Sequence, residues 1–111
     1  MSRDADLLAD MLDMIELVKR HAPASEEAFI ADEVLQAAVL HWVQTIGEAA
    51  TGVSEEVRAR HPEIPWRKIV DMRNLVVHGY RHVQLSIVWQ VMARDLPALE
   101  AQVRRLLAEL S

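Results

Sequence analysis

Residues 88–110 read VWQVMARDLPALEAQVRRLLAEL. Their apolar positions are Val88, Met92, Leu96, Leu99, Val103, Leu106 and Leu110, at successive spacings of 4, 4, 3, 4, 3 and 4. That rhythm is one stripe of an α-helix and cannot be a strand, which would alternate in twos. The phase survives Pro97, so the pattern predicts a single long helix kinked near Pro97. A stripe of this length must be covered by other helices. The sequence upstream supplies them. Leu7, Leu8, Met11, Leu12, Ile15 and Val18 mark a first helix ending near Arg20, with Asp6, Asp10 and Asp13 on its wet face. Ser25 is an N-cap candidate, with Glu26 and Glu27 placed to complement the helix dipole. Val34, Leu35, Ala38, Val39, Trp42, Ile46, Ala49 and Val53 then mark this long second helix, which opens at Ser25, can restart inside at Asp32 and ends near Gly52. Ser54-Glu55-Glu56 opens a short helix that stops before Pro62, and His61-Pro62-Glu63-Ile64-Pro65 is a turn. Trp66 opens a further helix through Ile69, Met72 and Val76 toward Gly79. The expectation is an all-α, up-and-down helical bundle, one domain over residues 1–111.

Composition narrows the function classes. The chain has no cysteine, which removes disulfides, iron–sulfur clusters and thiolate zinc. Its three glycines form no phosphate-cradling loop. No apolar run approaches the roughly 20 residues of a membrane span, and the acidic start Ser2-Arg3-Asp4-Ala5-Asp6 is unlike a secretory signal, so a cytoplasmic protein is expected. The net charge of −5 is unevenly spread. Residues 1–56 carry three cations against twelve acids, whereas residues 57–82 carry six cations against Glu63 and Asp71. A basic segment inside an acidic chain can present a local positive patch to nucleic acid, or be an ordinary solvated face.

Within the basic segment lies the densest polar cluster, Arg73-Asn74-Leu75-Val76-Val77-His78-Gly79-Tyr80. Asn74 and His78 share a helix face, but Arg73 and His78 stand about 140° apart around the axis. Convergence requires the helix to end near His78, Arg73 to reach around, or a second subunit to supply one group; Gly79 favours the first and a twofold axis the third. Arginine with histidine and no metal suits phosphodiester cleavage. Imidazole titrates near neutrality and can move the 2′-hydroxyl proton, while a guanidinium fork holds charge on phosphate oxygens. Asn74 can orient either group. His78 and His82 have the spacing of a helical metal pair, but Gly79 breaks the helix between them and the intervening glutamate of a zinc motif is missing. Glu48 is either a carboxylate that pairs with Arg73 or a surface acid.

The same eight residues resemble the Arg-x4-His-x-Tyr motif of the HepT-like toxins, in the HEPN group of all-helical proteins. The likeness extends to Gln36-Ala37-Ala38-Val39, Ile46-Gly47-Glu48-Ala49-Ala50, His61-Pro62-Glu63-Ile64-Pro65-Trp66 and Val88-Trp89 with Asp95-Leu96-Pro97, in the family's order, and so covers about residues 3–107. The resemblance implies a homodimeric HEPN-type bundle with two motifs on a shared cleft. It also implies metal-independent endoribonuclease activity, without cofactor, as the toxin of a type VII-like toxin–antitoxin pair. Arg73 and His78 would be catalytic, with Asn74 and Glu48 in support. Arg67, Lys68 and Arg81 would contact RNA. The implied partner is an MntA-type nucleotidyltransferase antitoxin that AMPylates the motif tyrosine, here Tyr80, the chain's only tyrosine. Each AMP adds bulk and negative charge beside a phosphate site, which opposes RNA binding. The alternative is a non-catalytic module that binds a nucleotide or the nucleotidyltransferase, a reading the overall acidity favours.

Overall fold

A computed structural model describes residues 2–74 and 84–110. The described chain is helical, without strands, in the order α1 (Arg3–His21), α2 (Glu26–Ile30), α3 (Glu33–Gly52), α4 (Glu55–Arg60), α5 (Trp66–Met72), α6 (Leu85–Gln90), a π turn (Val91–Asp95) and α7 (Leu96–Leu110). The expected all-α bundle is what forms. No helix among the described residues is long and apolar enough to cross a membrane.

Local chemistry sets the helix starts. Ser2, Ser25, Asp32 and Ser54 each accept a hydrogen bond from the backbone N–H three residues on, at 3.0–3.3 Å. These bonds satisfy N–H groups that a helix leaves orphaned. Asp32 therefore does restart the helix, and α2 is a separate short element. Gln36 seals that corner, its amide donating to the carbonyls of Phe29 and Ile30 at 2.9 Å each. The restart changes one expectation. Val34 was counted in the apolar stripe, but it falls in the first turn of α3, ahead of the packed stretch, and is 81% exposed.

Packing follows the stripes. Leu8, Met11, Ile15 and Val18 of α1 face Val39, Val43, Ile46 and Ala50 of α3, with Leu96, Leu99, Val103 and Leu106 of α7 closing the core. Phe29 fills it from α2, fully buried and 6.1 Å from the Trp89 ring. Polar ties fix the ends. The Ser54 hydroxyl and N–H both donate to the Asp4 carboxylate, at 2.7 and 2.8 Å, holding its pKa below the ordinary carboxylate value. Lys19 on α1 meets Glu100 on α7 at 2.9 Å. His61, in the turn before α5, sits between Glu63 and Glu109 at 3.2 and 3.1 Å.

The C-terminal helix runs through Pro97 with a π turn, Val91–Asp95, immediately ahead of it. The backbone stays helical across both joints, at Gln90 and Leu96. Pro97 has no N–H to give and its ring crowds the carbonyl of Ala93. A wider turn is one way to accommodate both. The two successive fours from Val88 to Leu96 are its trace: at about 100° per residue an α-helix would drift off the stripe over eight residues, and a wider turn absorbs the drift.

Candidate active site

Arg73 and Asn74 follow α5 directly. The Arg73 backbone is helical, and its N–H donates to the Val70 carbonyl at 3.1 Å, a tightened last turn. Arg73 is half-buried and Asn74 exposed. The helix is aimed by its start: the Trp66 indole N–H donates to the His61 carbonyl at 3.0 Å, and Trp66, Ile69 and Met72 are buried. Its far end lies on α3 at Gly47. A Cβ built at Gly47 would stand 2.9 Å from the Arg73 nitrogen and 3.1 Å from the Ile69 carbonyl oxygen.

Glu48, the next residue of α3, is exposed and accepts from the Gln44 amide at 3.3 Å. No ion pair joins it to Arg73 in the structure. His78, Tyr80 and Arg81 lie outside the described residues, as do His82 and the Gly79 helix stop.

The cations of the central segment have different occupations. Arg67 is exposed on α5. Lys68 is exposed too and reaches across to Asp95 of the π turn at 3.6 Å, where Asp95 also meets Arg94 at 3.2 Å. Such exposed pairs are weak. Beneath the pair runs a groove of about 230 Å³ lined by Asp71, Met72, Ile87, Gln90 and Val91. Arg58 faces the other way. Its guanidinium donates to the Thr51 and Val53 carbonyls at 2.9 and 3.0 Å and so closes the C-terminus of α3. Charge counting along the chain could not separate this structural arginine from the exposed cations of α5. The seat at Gly47 also escaped the reading by residue type, although a glycine inside a strongly apolar helix is itself a signal, since it weakens the helix.

Comparison with known proteins gives a consistent answer. The family model described as Ribonuclease HepT-like matches residues 11–106. A relative from Thermococcus cleftensis named "Probable ribonuclease HepT" is 32% identical over 91% of this chain and 93% of its own length. A relative from Caldanaerobacter subterraneus subsp. tengcongensis, named as a candidate RNase, is 35% identical over 82% of this chain and 81% of its own. A Methanocaldococcus jannaschii protein, named for gamma-glutamylcyclotransferase and candidate RNase functions together, is 31% identical over 93% of this chain, which spans 47% of it. No solved structure matches.

Proposed function

Because the chain belongs to the HepT-like ribonuclease family, we propose that it is a metal-independent endoribonuclease whose catalytic pair is Arg73 and His78. The observation that carries this reading is the family match across residues 11–106, which spans the whole Arg73–Tyr80 motif. The fold adds that Arg73, half-buried, directly follows α5. The activity belongs to one HEPN-like domain over residues 1–111, acting in the cytoplasm as a homodimer with two motifs on one cleft.

In the proposed step, neutral His78 takes the proton of a ribose 2′-hydroxyl. The freed oxygen attacks the adjacent phosphorus, and the bond to the 5′-oxygen breaks. The leaving oxygen takes a proton from a second, protonated imidazole, His78 of the other subunit. Arg73 holds the non-bridging oxygens, where charge accumulates in the transition state. Asn74, exposed beside Arg73, orients the phosphate or the imidazole. Arg67, Lys68 and Arg81 steer the RNA backbone. Glu48, the exposed carboxylate next to Gly47 on α3, supports the site.

The chain is further read as the toxin of a type VII-like pair, switched off by an MntA-type nucleotidyltransferase antitoxin that places AMP on Tyr80. The expected result is growth arrest when the chain is expressed alone in a bacterial host. Incubation with the transferase and ATP raises its intact mass by whole AMP units and silences it. Tyr80→Phe blocks both the mass gain and the silencing. Intact-mass spectrometry checks this, and a mass gain persisting in Tyr80→Phe contradicts the assignment. Indifference of the host, with RNA left intact, favours the non-catalytic binding module.

A further inference from the structure

We infer that Gly47 is a positioning residue for Arg73, an inference that rests on the reading of Arg73 as a catalytic group. Gly47 is buried in the middle of α3, where glycine is a poor helix former and its ordinary helical backbone does not call for one. What calls for glycine is contact. A Cβ there would meet the Arg73 nitrogen at 2.9 Å, the Arg73 Cβ at 3.1 Å and the Ile69 carbonyl oxygen at 3.1 Å. Two of these three atoms are main chain and the third is bonded directly to it, so none can swing aside. Relief comes only by lifting the end of α5 off α3, and Arg73 goes with it. The side chain of Arg73 then reaches its phosphate from a displaced root.

The same helix provides a matched control. Gly52 is also tight, but a Cβ there would meet Leu7 Cδ1 at 2.9 Å, the tip of a flexible side chain on α1, with no part of α5 nearby. Gly52→Ala strains the bundle without touching the seat of Arg73.

The experiment compares wild type, Gly47→Ala, Gly52→Ala and Arg73→Ala for kcat and KM on a fluorogenic RNA, with the Arg73 backbone amide followed by NMR in the first three. Gly47→Ala should lower kcat about 10- to 100-fold with KM within about threefold, the cost of a sub-ångström misplacement of a catalytic group. Its Arg73 amide resonance should move. Gly52→Ala should leave kcat within about twofold and that resonance in place. A wild-type kcat in Gly47→Ala, or an equal loss in both glycine variants, overturns the inference. Should Gly47→Ala not purify as a folded protein, Met72→Ala loosens the same helix end by removing a buried side chain beside Arg73, and it too must lower kcat at unchanged KM; a wild-type kcat there is equally fatal. An Arg73→Ala variant of full activity would instead bring down the catalytic assignment, while a shifted Arg73 resonance in Gly47→Ala would still locate the seat.

Discussion

On the proposed assignment, Arg73→Ala and His78→Ala should each reduce RNA cleavage in the presence of EDTA by about two to four orders of magnitude. Histidine acting as acid or base contributes about 10²- to 10⁴-fold, and one group stabilising transition-state charge about 10²- to 10³-fold. Groups proposed to act on one phosphate in one step are not additive, so the double variant should be little worse than the worse single one. Arg73→Lys recovers only part of the loss, because a point charge replaces a planar fork. For Arg73 the expected loss is chemical rather than structural: the residue is half-buried, and the backbone nitrogen and Cβ that lie against Gly47 are both retained in Arg73→Ala. Rate measurements with a labelled RNA, alongside thermal melts, check the prediction. Undiminished cleavage by both variants contradicts it.

Val39→Asp should abolish folding. Val39 is fully buried in the middle of α3, within the core shared with α1 and α7. A carboxylate there has no cationic partner, and an unpaired buried charge costs several kcal/mol beyond the lost packing, against a total stability of about 5–15 kcal/mol for a domain of this size. Circular dichroism should show loss of the cooperative melt. Val34→Asp, five residues earlier on the same helix, is the contrast. Val34 is 81% exposed, so the same change should shift stability by no more than about 0.5 kcal/mol. If Val39→Asp melts as cooperatively as Val34→Asp, the packing described for α3 is wrong.

Helix periodicity made most of this fold legible, because a bundle has few ways to bury stripes such as Leu8–Val18 and Leu96–Leu106. Caps were legible for the same local reason: Ser25, Asp32 and Ser54 announce their helices through side-chain chemistry that involves only three neighbouring residues. Val34 was misplaced because periodicity records which residues are apolar and not where a helix begins to be covered. The π turn was written in the doubled spacing before Leu96, but the same residues are explained by Pro97 alone, so the spacing did not reveal the wider turn ahead of it. At the site, the Arg73-to-Tyr80 cluster stands out by residue type, and Arg73 and Asn74 are the part of it that lies within the described residues. The roles of Gly47 and Arg58 were not, since each depends on a contact with a residue outside its own helix that no local pattern encodes.

The most direct measurement is the chemistry of the product ends. Attack by the 2′-hydroxyl under an imidazole base leaves a 2′,3′-cyclic phosphate on one fragment and a 5′-hydroxyl on the other. Mass spectrometry of RNA cut in EDTA should find those ends, and a single 2′-deoxy substitution at the scissile nucleotide should stop the cut. Fragments ending in 5′-phosphate and 3′-hydroxyl, or cutting that appears only when a divalent metal is added, would contradict the account.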